Sequence, residues 1–298
     1  WVDASKKFGN KLWNAAKYIE INSSEEIDFN IEACKIQENI WIINKFNDVI
    51  KEFDRLMEEY KISDAYDMLY SFLWSELFDW YFEFTKNIFK DNQESVETQA
   101  VLRGIFLQSL KLLNPAMPFI TEELWEKLGG DGVLINSNWP ENIDISDEVS
   151  EEIELIKYFV SSIRNFRVDH DIKFSRKLEL VSFGKLPDEW QINQISFLSK
   201  TSIIEAAEEK EKKYTSFSYG DITLNVDISA SVDIDSEKKR ILSKIKESEK
   251  SISISKERLE NKKFIENAKE ELIDQEKRNF DDLTKKIDEM NHLLKRLS

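Results

Sequence analysis

The stretch Leu110-Lys-Leu-Leu-Asn-Pro-Ala-Met-Pro-Phe-Ile-Thr-Glu-Glu-Leu-Trp125 decides the fold, because two prolines separate two apolar runs. Proline lacks a backbone N–H and its ring collides with the preceding turn, so Pro115 and Pro118 prevent the first helix from continuing. Thr121 is a residue type favoured at helix N-caps, and we predict that it caps a second helix carrying Leu124. Glycines at positions 129, 130 and 132 then stop this second helix.

The composition of the whole chain favours long helices. Its 298 residues suffice for two or three domains, and 19 Phe, 8 Trp and 8 Tyr supply bulky side chains for a large core. Seven Gly and four Pro are few beside 34% charged residues, which argues against a turn-rich β protein. We therefore predict a mainly α chain.

Residues that could form disulfides or bind metals are sparse. The single cysteine, Cys34, excludes an intrachain disulfide, and we expect an inert core thiol in a reducing compartment. His170 and His292 are too far apart in sequence to suggest a metal cluster. No apolar run reaches the roughly 20 residues that cross a bilayer, and no signal peptide pattern begins the chain. The sequence predicts a cytoplasmic protein without a metal site.

Charge is distributed unevenly along the chain. The formal net charge of −16 argues at first against a nucleic-acid partner, since phosphates require a positive surface. Yet residues 1–20 hold four Lys against two acidic residues, and residues 236–298 hold 17 Lys or Arg against 14 Asp or Glu. An acidic body with basic ends can still contact RNA locally.

The first helix, predicted over residues 1–20, has two distinct faces. Helical spacing places its core candidates on one face: Ala4, Phe8, Leu12, Ala15, Ala16 and Ile19. The opposite face aligns Lys6, Asn10, Trp13 and Lys17. Unpaired bases stack on aromatic rings for about 1–3 kcal/mol each while lysines hold phosphates, so this stripe suits an RNA loop. Alternatively, Trp13 packs under a neighbouring domain.

Two further helices follow, over residues 40–57 and 63–84. The second of these is apolar nearly all round, which predicts the central helix of a bundle. Its Glu76, Asp79 and Glu83 lie at helical spacing. Acid–base catalysis needs a cleft and a partner that the sequence does not offer, so we predict solvated or capping charges.

A small α/β unit is predicted after the acidic, unpatterned residues 141–150. Basic residues occur within helix 150–168 and directly after it: Lys157, Arg164, Arg167, Lys173, Arg176 and Lys177. β-rich runs then follow at 178–183, 201–206, 214–219 and 222–228, with a helix over 188–198 between the first two.

The C-terminal segment has the pattern of a coiled coil. Spacings of three and four align Ile241, Ile245, Ser248, Ile252, Ser255 and Leu259, and later Ile273, Glu276, Phe280, Leu283, Ile287, Met290, Leu294 and Leu297. An interruption around 262–271 predicts an antiparallel hairpin whose arms of ~26 residues reach ~40 Å. We predict three domains: a helical bundle over 1–148, a small α/β domain over 149–232, and the coiled-coil arm over 233–298.

Several motifs resemble one family over essentially the whole chain. Met117–Trp125 resembles the anticodon-binding domain of class I aminoacyl-tRNA synthetases, in the form found in valyl-tRNA synthetases. Phe8–Ala16, Leu73–Tyr81 and Ser162–Arg167 are similar to the family's opening helix, central helix and post-bundle segment. Lys263–Ala268 looks like the turn of its tRNA-binding arm. Family members usually carry His-Pro-Phe where this chain has Asn-Pro-Ala at 114–116.

The resemblance implies a reaction in which valine is activated with ATP and Mg²⁺, transferred to tRNA(Val), and edited when threonine is mischarged. The His-Ile-Gly-His and Lys-Met-Ser-Lys-Ser signatures are missing, so the chain looks like the C-terminal, tRNA-positioning part of such an enzyme. It implies no catalytic residue and no cofactor in this part, and a monomer that binds tRNA(Val) without contacting a membrane.

The expected RNA contacts fall into two groups. Anticodon contacts are expected from Lys6, Lys7, Asn10, Lys11, Trp13, Asn14 and Lys17, with lysines on phosphates, asparagines on base edges and the indole stacking. Arm contacts are expected from Lys263, Lys277, Arg278 and Lys285. Two alternatives stay open: the same region of an isoleucyl- or leucyl-tRNA synthetase, and a non-enzymatic helical scaffold that docks a partner protein.

Overall fold

The computed structural model describes residues 2–24, 30–91, 95–145, 149–206, 214–227 and 234–260, and then positions 275, 277–278, 280, 282–285, 287–288, 290–291 and 294. By packing, the chain divides into two compact units. The first comprises Trp1–Ser162 and Pro187–Lys200, and the second Ile163–Leu186 and Thr201–Ser298. The unit boundaries fall at other positions than the three predicted domains, which stay a prediction.

The first unit is helical, as predicted. Its helices are α1 (Val2–Asn22), α2 (Gln37–Glu58), α3 (Ile62–Ser71), α4 (Phe82–Asp91), α5 (Val96–Leu113), α6 (Pro118–Lys127), the first part of α7 (Ser150–Asp169), and α8 (Glu189–Ser199). Short 3-10 turns lie at Ile31–Ala33 and Leu134–Asn136. The largest side chains with almost no exposure are aromatic: Trp41, Tyr81, Phe46, Phe53, Phe84, Phe106 and Phe159.

The two-proline stretch forms the predicted pair of helices, but their junction differs from the prediction. Helix α6 begins at Pro118, with Met117 as its N-cap residue, so the prediction that Thr121 caps it was wrong. Proline suits the first helical position, where its missing N–H would have no intrahelical partner. The Thr121 hydroxyl instead donates to the Met117 carbonyl at 2.9 Å and accepts from Asn114 Nδ2 at 3.0 Å. Asn114 therefore braces this corner.

The predicted central helix is confirmed, with an unpredicted change of helix type in its middle. Helices α3 and α4 are joined by a π-helical stretch, Phe72–Tyr81, which buries Phe72, Leu73, Leu77, Phe78 and Tyr81. A π-helix hydrogen-bonds residues five apart and so brings them to the same face, whereas in an α-helix they point about 140° apart. The acidic residues predicted to be solvated or capping are in ion pairs: Glu76 with Lys157 at 2.5 Å, Asp79 with Lys11 at 2.7 Å, and Glu83 with Lys86.

The second unit contains a mixed four-stranded sheet, which confirms the four predicted strands. These are β1 (Leu178–Ser182), β2 (Thr201–Glu205), β3 (Tyr214–Tyr219) and β4 (Ile222–Asp227), in the order β2-β1-β4-β3. Strand β1 pairs in parallel with β2, from Leu178 opposite Thr201, and antiparallel with β4, through Leu180 opposite Val226. Strands β3 and β4 form a tight hairpin. Its turn contains Gly220 at a φ of 56°, a left-handed conformation that glycine adopts without strain.

Within the described residues, the predicted coiled-coil seam coincides with the covered face of the C-terminal helices, whereas its members Ile273, Glu276 and Leu297 lie outside those residues. Between residues 241 and 259 of helix α9 (Ile234–Glu260), the buried or partly buried side chains are the six predicted seam residues, and all others are exposed. The described residues from 275 onward are helical and repeat this pattern. Those partly buried are Phe280, Leu283, Ile287, Met290 and Leu294. Pairing of the two helices as a hairpin stays a prediction.

Candidate nucleic-acid interface

Helix α1 is held in the first unit by the apolar face that the sequence predicted. Leu12, Ala16 and Ile19 have no exposed surface, and Phe8 and Ala15 are buried beside them. The burial of this face fixes the rotation of the helix about its axis. Residues half a turn away must therefore point to solvent.

The opposite face presents four residues in a row, which we name the α1 stripe: Lys6, Asn10, Trp13 and Lys17. The two lysines and the asparagine are exposed, and Trp13 is partly exposed. Lys7 and Asn14 flank the stripe and are also exposed. The structure thus brings six of the seven predicted anticodon-contact residues together on one surface, although their contact with RNA stays a prediction.

Lys11 is the member of the predicted set that packs inside the first unit. Its Nζ lies 2.7 Å from Asp79 Oδ1, 3.7 Å from the centre of the Trp74 ring, and donates to the Trp74 carbonyl at 3.4 Å. Trp74 and Asp79 are five residues apart, and the π-helical stretch turns both toward the same lysine. Lys11 therefore anchors α1 to the central helix, a role that the sequence did not predict.

A cavity of about 650 Å³ lies at the C-terminal end of α1. Polar and cationic side chains contribute to its lining: Tyr18, Asn22, Lys86, Lys90 and Gln99. The Tyr18 hydroxyl lies 2.9 Å from that of Thr85, and burial raises the pKa of Tyr18. At neutral pH this hydroxyl is neutral, so the cavity adds hydrogen-bonding groups and the ammonium group of Lys90 beside the helix that carries the stripe, while the ammonium group of Lys86 pairs with Glu83.

Three of the four predicted arm contacts belong to the described residues, and one does not. Lys277, Arg278 and Lys285 are helical and exposed, while the neighbouring seam residues are partly buried. Lys263 lies outside the described residues. The described part of the arm therefore presents cations on its solvent face.

Within the described ranges, no group of three or more His, Cys, Asp or Glu side chains could hold a metal ion. Cys34 is buried, as predicted, and burial raises the pKa of its thiol to about 12. A search of the same ranges finds no helix long and apolar enough to cross a membrane.

Comparison with known proteins identifies related sequences for both the bundle and the rest of the chain. Residues 39–182 match the family described as the anticodon-binding domain of tRNA ligase. The valine-tRNA ligase of Petrotoga mobilis is 32% identical over 309 residues, which cover 99% of this chain and 35% of the relative. That of Fervidobacterium nodosum is 32% identical over 285 residues, covering 93% and 32%. That of Rhizobium meliloti is 30% identical over 310 residues, covering 98% and 32%. The chain spans about a third of the length of these curated relatives.

Proposed function

We propose, from the premise that residues 39–182 belong to the anticodon-binding domains of tRNA ligases, that this chain is the tRNA-recognition part of a valine-tRNA ligase. The observation that carries the proposal is the α1 stripe. Its indole lies among two exposed lysines and an asparagine, on a helix whose other face is locked into the core. Such a surface offers stacking, hydrogen bonds and positive charge to an unpaired loop.

In this proposal each residue of the surface has a role set by its chemistry. Trp13 stacks on an unpaired base of the anticodon, and the amides of Asn10 and Asn14 reach base edges. The ammonium groups hold phosphates: Lys6, Lys7 and Lys17. Lys11, which is paired with Asp79, positions the helix instead of contacting RNA.

The arm is proposed to contact the outer corner of the same tRNA(Val) through Lys263, Lys277, Arg278 and Lys285. Contact at two separated places on one rigid RNA raises the effective concentration of the second contact. Binding far from the reacting end also orients the acceptor end toward a catalytic domain, where valine would be attached with ATP and Mg²⁺. We further propose that the complete enzyme acts as a monomer in the cytoplasm.

The test is a titration of the 298-residue chain with a tRNA(Val) transcript and with an anticodon-substituted transcript, each at two salt concentrations. Tighter and salt-sensitive binding to the native anticodon is expected. Trp13→Ala should weaken binding about 10-fold, since loss of stacking costs about 1–3 kcal/mol. Lys17→Ala should reduce the salt slope by about 0.7, the contribution of one phosphate contact with an unpaired strand.

Lys51→Ala is the matched control, because Lys51 is an exposed helical lysine of the same unit outside the stripe. Equal affinity for both transcripts would refute anticodon recognition by this chain. Preference for an isoleucine or leucine tRNA would transfer the proposal to that synthetase. Salt-insensitive binding of a protein, with no binding of tRNA, would favour the scaffold alternative.

A further inference from the structure

A compact loop between α7 and β1 concentrates positive charge in the second unit. Residues 163–177, which comprise the end of α7 and this loop, hold five Arg or Lys against two Asp, and the loop itself, residues 170–177, holds three against one, in a chain whose net charge is −16. The loop turns back at Asp171, which has a φ of 51°. The amide of Ile172 donates to the Arg167 carbonyl at 2.8 Å, and that of Arg176 to the Lys173 carbonyl at 3.0 Å. The loop therefore has a defined backbone shape.

The buried guanidinium of Arg167 stabilises this backbone shape through hydrogen bonds to two carbonyls of the loop. Arg167 is 4% exposed, and its Nη1 donates to the carbonyls of Lys173 at 3.3 Å and Arg176 at 2.9 Å. Its guanidinium lies 5.7 Å from the centre of the Phe174 ring. Burial lowers the pKa of Arg167, and the nearby charge of Arg176 lowers it further. The buried guanidinium thus holds two carbonyls of the loop and lies beside the Phe174 ring.

The outer surface of the loop combines cations with an exposed aromatic ring. Five consecutive residues are exposed: Lys173, Phe174, Ser175, Arg176 and Lys177. Phe174 retains 55% of its surface although the ring is large and apolar. Arg164, five residues before the end of α7, is exposed as well. We name this surface the cationic loop.

We propose that the cationic loop is a second RNA-binding site, which holds the sugar–phosphate backbone of the bound tRNA through Lys173, Arg176 and Lys177 and stacks Phe174 on an exposed base or ribose. The inference rests on the proposed function. Ammonium and guanidinium groups neutralise phosphates, and a flat ring among them accepts any base, because every base has a π face. An acidic partner protein would use the same charges and could also pack on the ring, so the experiment includes that binding as an outcome that overturns the inference. The contact is independent of sequence, unlike that of the α1 stripe.

The experiment compares variants of the 298-residue chain in titrations with the tRNA(Val) transcript over a series of salt concentrations. The double variant Lys173→Ala/Lys177→Ala should flatten the slope of log K against log salt by about 1.4, since each phosphate contact of a single strand contributes about 0.7. Phe174→Ala should weaken binding about fivefold or more. Both losses should be equal for native and anticodon-substituted transcripts.

Lys185→Ala is the matched control, because Lys185 is exposed in the same unit and already pairs with Asp221 at 3.0 Å. It should leave the slope within about 0.3 of wild type, since a neutralised lysine releases few counterions. Far-ultraviolet circular dichroism and the midpoint of thermal unfolding verify that each variant folds.

The outcomes separate the two proposals. An unchanged slope and affinity in both loop variants, with wild-type discrimination of the anticodon, would overturn the cationic loop and leave the proposed function standing. Loss of the slope in a chain that does not discriminate anticodons would support the loop and refute anticodon recognition. Polyglutamate that displaces tRNA from the wild type as effectively as RNA does would assign the loop to acidic protein partners and overturn the inference. A chain that binds no tRNA would refute both proposals.

Discussion

Replacing Glu97 with alanine should destabilise the first unit by about 3 kcal/mol, because this carboxylate closes the start of a helix far away in sequence. Helix α2 begins at Gln37, and the apolar side chain of Ile36 cannot cap it. Glu97 Oε1, from the first turn of α5, accepts from the backbone amides of Lys35 at 3.0 Å and Ile36 at 2.8 Å, and from Asn39 Nδ2 at 3.0 Å.

The expected loss of stability follows from what happens to each of the three hydrogen-bond donors when the carboxylate of Glu97 is removed. A hydrogen bond to a charged group contributes about 1.5–3 kcal/mol. The amide of Lys35 is at an exposed residue and regains water, and Asn39 keeps its bond to Thr98 Oγ1 at 3.2 Å. The amide of the half-buried Ile36 loses most, so the three bonds together contribute about 3 kcal/mol instead of their full sum. Glu97→Gln keeps an acceptor oxygen without the charge and should cost about half as much.

Urea unfolding followed by tryptophan fluorescence measures this loss in the first unit, where every tryptophan of the described ranges lies. Glu123→Ala is the control, because Glu123 is an exposed glutamate of α6, and it should change the free energy of unfolding by less than about 0.5 kcal/mol. A Glu97→Ala variant no less stable than the Glu123→Ala control would refute the capping role.

Three further predictions concern single residues of the first unit: Glu38, Gly130 and Cys34. Burial raises the pKa of Glu38, which accepts a hydrogen bond from Gln194 Nε2 at 2.5 Å. Because the folded chain then holds this proton more tightly than the unfolded chain, the free energy of unfolding should fall as the pH rises from the ordinary pKa of 4.5 to the raised pKa of the folded state. Glu38→Gln should remove this pH dependence in urea titrations between pH 4 and 8, and a variant with the wild-type slope would contradict the assignment. Gly130→Ala should lower stability by about 1–3 kcal/mol, measured by urea unfolding, because a Cβ there would overlap the indole of Trp125. Cys34, with its pKa raised to about 12, should resist alkylation by iodoacetamide at pH 7.5 until urea unfolds the chain, and rapid labelling of the native chain would argue against its burial.

Local pattern in the sequence determined the helices, the strands and the composition of the candidate surface. The spacing of apolar residues in α1 predicted which face of the helix is buried, and therefore which residues form the exposed α1 stripe. Residues on one face of a single helix lie side by side without any other element to bring them together. The same reasoning predicted the four strands and the seam of α9. The helices, the strands and the seam depend on residues that are near one another in sequence, and the spacing of apolar residues is therefore enough to predict them.

The tertiary structure decided how residues distant in sequence were used. Lys11, for which a phosphate contact is predicted, lies 2.7 Å from Asp79, 68 residues away, and Asp79 belongs to a π-helical stretch that the periodicity of the sequence did not predict. Glu97 caps a helix 61 residues earlier, and α8 lies between β1 and β2 in sequence yet belongs to the first unit, where Gln194 contacts Glu38 across 156 residues. Such pairings depend on which surfaces meet once the chain has folded. A single sequence shows that both residues are present, but it does not show that they lie close together in the folded protein.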